Sequence, residues 1–354
     1  MPKVAVLKTT PQTVIEDYGR VMELAGYRKF LPKSRETIIK LNLSWSLYFP
    51  SCSTEPWQLD GVLKKMTDDG YGNIIPVENR TVVTDPWKGA RLNKWLPVLE
   101  RYNIRFTPLT DVEWVPFKPK AGMLAMDDIF PDGFSIPKIF PGKNVLHLPT
   151  QKTHGHTTIT GAMKNAFGGL LTKRRHHSHR LIHEVLVDLL AIQKEIHTGI
   201  FAVVDGTVCG DGAGPRAMVP RIENYMLASG DQVAVDAVSA SMMGFDPMEI
   251  PFIKIAHDRG LGVGDLGQID LVGDDISGVN YHFKTEKSLV VWGDQLFRKG
   301  ALSFLEPAVF HTPLFKLCIM ASAVFHDNVW YPLVGSRRIN AFMETEWGRL
   351  FREY

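Results

Sequence analysis

The sequence predicts an α/β protein: a largely parallel sheet flanked by helices, drawn as two α/β lobes with a C-terminal helical segment. Two observations predict it. Short β-branched runs alternate with segments of helical spacing, the pattern that builds parallel sheets through right-handed crossovers. The chain has 354 residues, 45% apolar and 22% charged, enough to bury a substantial core at ordinary globular composition.

Taken in order, Lys3–Lys8 (KVAVLK) reads as a strand and Thr13–Tyr27 as a helix. In that helix Val14, Tyr18, Val21, Met22 and Leu24 share a side, and it ends near Gly26. Thr37–Leu43 (TIIKLNL) is a strand, Trp57–Met66 a helix, Asn73–Val77 a strand, and Leu92–Tyr102 a helical run despite Pro97. These form an N-terminal lobe over 1–115. A Pro-, Gly- and Phe-rich stretch, 116–142, reads as a linker. The pattern resumes in a second lobe, 143–290. Here Asn144–Leu148 is a strand, Thr158–Leu171 and His179–Ile196 are helices, and Ile200–Val204 is a buried strand. Gln232–Met243 is a helix capped by Asp231, Pro251–Asp258 another helix, and Ile269–Val272 a strand. Residues 291–354 read as mainly helical. Within them Leu314–Phe325 is the most apolar stretch, but it contains Lys316, is too short to span a bilayer, and is expected to be buried or docked.

A net charge of +2 gives no general argument for nucleic acid. The N-terminus lacks a signal-peptide pattern, and the expectation is a cytoplasmic protein. Cys52, Cys209 and Cys318 are scattered, which excludes a four-thiolate iron–sulfur cluster held by this chain and fits a reducing compartment. The sequence leaves the oligomeric state open.

Ligands of parallel sheets bind beyond the carboxyl ends of the strands. Those ends deliver Lys40 and Asn42, then Glu78, then the segment Pro149–Asn165 (PTQKTHGHTTITGAMKN), then Asp205. Lys152, His154 and His156 share a side if extended, and a cation beside each would move it toward neutrality, as proton transfer or anion binding requires. Thr160, Lys164 and Asn165 open the following helix, whose N–H groups attract anions. The run Lys173–Arg180 (KRRHHSHR) carries His176 and His179, with His183 at i+4 from His179, a spacing that chelates a metal from one helix face. Imidazole donors would favour zinc, nickel or iron. The glycine-rich Asp205–Pro215 (DGTVCGDGAGP) is neither a P-loop nor a dinucleotide fingerprint, and is read as a phosphate- or metal-accommodating loop. Asp236, among apolar residues, needs a partner, for which a site cation is one reading.

The strand IIKLNL, the segment PTQKTHGHTTITGAMKNAFGGL, then VVDGTVCGDGAGP, ASGDQVAVDAVSASMMGFDP and HDRGLGVGDLGQIDLVG resemble domain-of-unknown-function family 362 over most of residues 1–290. Some members carry a ferredoxin-like cysteine segment, which implies redox work; this chain departs from them there. The Lys-Thr-His segment is also distantly similar to lactate racemase-like proteins, which implies a nickel-containing nucleotide cofactor at Lys152 and His154.

The leading expectation is an enzyme that acts on a small anionic metabolite by proton transfer, an isomerase or lyase. Lys152, His154 and Asp205 would be catalytic, and Lys40, Asn42, Glu78, Thr160, Lys164 and Asn165 would hold substrate. A transition metal on His154, His156, His176, His179 and His183 is the metal-assisted form. Alternatives are a redox enzyme recruiting an external metal or cofactor, and a nucleic-acid or partner-binding module using 173–180. The last ranks lower, because the polar strand ends would then have no role.

Overall fold

Burial decides which strands take the centre of the sheet. The computed structural model describes all residues except 82, 172–174, 299, 301–303, 305–308, 310–311 and 313–314, and the side chains of 175, 176, 289 and 316. The chain begins β1 (Lys3–Lys8), α1 (Val14–Leu24), β2 (Thr37–Lys40), α2 (Pro56–Asp68), β3 (Ile74–Glu78), α3 (Pro86–Leu92), α4 (Trp95–Arg101) and β4 (Thr107–Pro108). A two-stranded excursion follows, with α5 (Met126–Ile129) between β5 (Trp114–Phe117) and β6 (Phe134–Pro137). Then come β7 (Asn144–His147), β8 (Thr150–His154), β9 (Thr158–Ile159), α6 (Ala162–Leu170), α7 (Ile182–Ile196), β10 (Gly199–Ala213), β11 (Ala217–Ser229), α8 (Gln232–Met243), α9 (Pro251–Asp258) and β12 (Asp270–Gly273). The last part holds α10 (Leu289–Arg298), α11 (Phe315–Ala323), a π-helical stretch Val324–Gly335, α12 (Ser336–Met343) and α13 (Glu346–Glu353).

The sheet runs β12-β1-β11-β10-β7-β2-β3-β4, with β8 added on β10 and β9 on β8. Only β11 on that path is reversed, being antiparallel to both β1 and β10; the other pairings are parallel. Strands from before and after 116–142 are neighbours in this one sheet: β2 pairs with β7, and β1 with β11 and β12. Every residue of β2 and of β7 is buried, as central parallel strands require.

Alternation along the strands divides the core. Val4, Val6, Ile38, Val145 and Val204 face the layer of α6, α7, α8 and α9. Ala5, Leu7, Ile39, Leu146 and Val203 face α1, α2, α4 and α13. On α1 the expected face is buried at Val14, Tyr18, Val21 and Met22, but Leu24 is exposed. The helical run expected through Pro97 is two helices broken at Asn93–Lys94, with Pro97 in the first turn of α4, where a missing N–H costs no helical bond.

The largest departure from the sequence reading is Asp205–Pro215. Most of it is not a loop but the far half of the 15-residue strand β10, hairpin-paired with β11. Its glycines allow close approach: a Cβ on Gly210 would lie 2.9 Å from the Lys152 Cβ of β8. Among the described residues no helix is long and apolar enough to cross a membrane.

Candidate functional site: the sheet edge and its cavity

At the carboxyl end of β2 the Lys40 ammonium donates to both Glu78 oxygens (2.9 and 2.8 Å) and to Leu41 O (2.5 Å). Both side chains are almost wholly buried, 2% and 3% exposed, so the pair is an internal neutralisation. The charges expected to hold a substrate anion are therefore countered within the chain. Asn165 on α6 ties in, donating to Lys40 O at 2.9 Å.

Lys152 points into an equally closed environment. Its ammonium donates to Asn42 Oδ1 (2.6 Å), Cys52 O (2.5 Å) and Thr150 Oγ1 (2.7 Å), three acceptors for three protons. Burial pulls Lys152 down to about 7. Thr160, expected at the helix start, lies before it, and its hydroxyl donates to Thr150 O at 3.1 Å.

The helix start expected at Thr158 falls at Ala162, because β9 occupies Thr158–Ile159. Its anion site is filled from within. Asp236 accepts from the backbone N–H groups of Ala162 (2.6 Å) and Met163 (3.0 Å). The partner of Asp236 is thus a helix N-terminus rather than a cation, and burial raises its carboxyl to about 7. Gly161 is required here, since a Cβ would collide with the Asp236 carboxylate.

Asp205 is also turned inward. Its Oδ1 accepts from the Thr207 N–H (2.8 Å) and hydroxyl (2.7 Å), and burial raises it to about 6. Glu55 was not singled out in the sequence. It is buried, accepts from the Ser51 N–H at 3.1 Å and the Tyr48 hydroxyl at 3.4 Å, and is pushed well up by burial and by Asp205. Its position before Pro56 reads as an ordinary helix start, which hides it.

The histidines do something different. His154, at the end of β8, accepts the His156 N–H on Nδ1 at 3.1 Å. Burial, then Lys164, holds its ring well below the usual imidazole range. The neutral ring therefore carries its proton on Nε2. His156 sits on the following turn, its ring 5.8 Å from His154 and 5.3 Å from His179, with Asp294 3.6 Å from its Nε2. Lys164 is half-buried over the Phe167 ring, which in turn meets His179.

The His179–His183 chelate is not formed on one helix. His179 ends the 3₁₀ turn Arg175–His179, α7 begins at Ile182, and His183 stacks on Phe252 of α9. The side chain of His176, and 173–174 of the basic run, lie outside the described residues. Among the described residues no three His, Cys, Asp or Glu side chains converge as metal ligands. A nickel nucleotide on Lys152 does not fit either: its nitrogen is enclosed and holds three acceptors within 2.7 Å.

His154, His156 and His179 line a cavity of about 560 Å³. Its far wall comes from α10 and α11 and is mostly apolar, with the paired Asp294 and Arg298 among its residues. Arg216, also missed in the sequence, lines the same cavity from the β10–β11 turn.

Residues 37–241 match a domain of unknown function, DUF362. The chain belongs to the DUF362 family. The matched region holds every polar group described above except Asp294, and includes Arg216. The α10–α11 wall of the cavity lies beyond it. A thylakoid-associated protein of Synechocystis sp., sll1697, is 30% identical to this DUF362 chain over 125 residues, which is 33% of the chain and 37% of that relative's length. No solved structure matches.

Proposed function

We propose that this DUF362 protein is an enzyme that moves a proton on a small anionic molecule held in the cavity, in an isomerisation or elimination. The observation that carries the reading is His154, a buried neutral imidazole on the cavity wall whose Nδ1 is fixed by the His156 N–H. Such a ring presents Nε2–H as a donor that polarises a carbonyl or protonates a developing oxyanion. His156, backed by Asp294, is the second proton-transfer group. Lys152 is a positioning residue here: it joins β8 to Asn42 and the chain at Cys52, and so fixes the strand that carries His154. Three dispersed cysteines keep a cytoplasmic setting as the expected one.

The test is deuterium incorporation from D2O into a panel of short 2-hydroxy, 2-keto and unsaturated carboxylates, read by mass spectrometry. Wild-type protein exchanges at least one; folded His154→Gln exchanges it about 100-fold more slowly, the low end for an acid–base group. Equal rates for the two proteins count against the reading.

A second reading is peripheral contact with a lipid surface. Leu317, Met320, Val324 and Leu333 are exposed along the C-terminal helices, and Trp292 on α10 is 58% exposed. The name of the Synechocystis relative describes an association with thylakoids. Flotation with anionic vesicles tests it, and recovery wholly in the unbound fraction removes it.

A further inference from the structure

We propose that the cavity takes an amphiphile, with an anionic head at Arg216 and an apolar body against α10 and α11. The proposal rests on the reading of the cavity as the substrate site and names the substrate class.

Arg216 supplies the first ground. It is half-buried on the cavity wall, and its guanidinium makes no hydrogen bond or ion pair to any described residue. The neighbouring acids are engaged elsewhere. Asp327 attracts Arg216 through space but makes no hydrogen bond to it, accepting instead from the Trp45 indole N–H at 2.7 Å. Asp294, the carboxylate of the cavity wall, accepts from Arg298 Nε at 3.0 Å on both oxygens. The Arg216 guanidinium therefore keeps its hydrogen-bond donors unmet in a partly desolvated place, where burial pulls its pKa down. Burying a cation without a partner is costly, and an anion bound there would remove the cost.

The shape and chemistry of the opposite wall supply the second ground. Val290, Val291 and Phe297 of α10, Phe315 and Ile319 of α11 and Phe325 of the π-helical stretch line the same space. A volume of about 560 Å³ is that of a drug-sized ligand, well above an isolated phosphate or short acid. A small anion alone would leave those side chains against water; an apolar body covers them. Cys318 and Ala321 line the cavity and are also exposed, so the apolar end is where it opens. Arg216 lies within the DUF362 match and the α10–α11 wall outside it, so the head is read by the matched region and the body by the helices that follow it.

Carboxylate and phosphate heads share this chemistry, and titration separates them. The full-length protein is titrated calorimetrically with decanoate, decyl phosphate, decanol, decyltrimethylammonium and inorganic phosphate, each below its aggregation concentration. Decanoate or decyl phosphate binds at least 10-fold tighter than decanol or the ammonium ligand, and inorganic phosphate alone gives no comparable binding; whichever anionic ligand binds tighter identifies the head. Arg216→Leu reduces the anion preference to within about 2-fold while decanol affinity is kept, and Arg216→Lys keeps the preference. Equal affinity of wild-type protein for decanoate and decanol overturns the proposal. So does a preference that survives in Arg216→Leu, or no decyl ligand binding at all. If Arg216→Leu fails to fold, the wild-type series and Arg216→Lys still decide. Decyl binding without deuterium exchange upholds this proposal and counts against the reaction; exchange on short acids without decyl binding does the reverse.

Discussion

Replacing Glu78 by glutamine separates a structural Lys40 from a substrate-binding one. The Lys40 and Glu78 side chains are 2% and 3% exposed, and the two oxygens lie 2.8 and 2.9 Å from the ammonium. Glutamine fills nearly the same volume but removes the countercharge, so Glu78→Gln strands a buried cation. Breaking one side of a buried pair costs about 3–5 kcal/mol. Replacing both partners by apolar groups of similar size, in Lys40→Met with Glu78→Leu, removes both desolvation penalties and is expected to cost about 2 kcal/mol less than Glu78→Gln alone. Urea unfolding at pH 7 followed by tryptophan fluorescence reads both. A loss below about 1 kcal/mol for Glu78→Gln would refute the reasoning, because the pair would then not be load-sharing in the fold, as would a double variant no more stable than the single one.

Other consequences follow from the same side chains. Asp236 is raised from 3.8 to about 7, so the folded state binds more protons than the unfolded one between those values. Its contribution is present below pH 4 and lost as pH rises to 7, and Asp236→Asn should flatten that part of the thermal midpoint against pH curve relative to wild type. Gly161→Ala should destabilise by about 1–3 kcal/mol through overpacking on the Asp236 carboxylate, measured by thermal unfolding. Burial pushes the Cys52 thiol up to about 12 and Cys209 well up, while Cys318 is exposed. Iodoacetamide at pH 8 should therefore add one group to the folded protein and three after denaturation, counted by intact mass.

Strand alternation was readable residue by residue: Val4 and Val6 take one face of the sheet, Ala5 and Leu7 the other. So were the helices that carry an apolar stripe and a cap, such as α8 behind Asp231, which accepts from the N–H groups of Val233 and Ala234. The long hairpin was not readable, because Gly206 and Gly210 resemble a loop unless the strand that packs on them, β8, is already known. The polar residues at the strand ends were found by position, but what they do was not. Lys40 and Glu78 look like two site residues until their 2.8 Å pairing is seen. Asp236 looks like a candidate cation ligand until α6 is placed against it. The cavity joins Arg216 to Phe297 and Phe315 across long stretches of chain, and no local spacing encodes that meeting.

The most direct measurement is the protonation state of His154, from long-range 1H–15N spectra of histidine-labelled protein at pH 7, with His154→Gln for assignment. The structure predicts a neutral ring with its proton on Nε2, one that resists protonation on mild acidification more than a free imidazole does, because burial and Lys164 oppose a second proton. A charged ring at pH 7, or a neutral one protonated on Nδ1, would contradict the assignment of His154 as the donor facing the substrate.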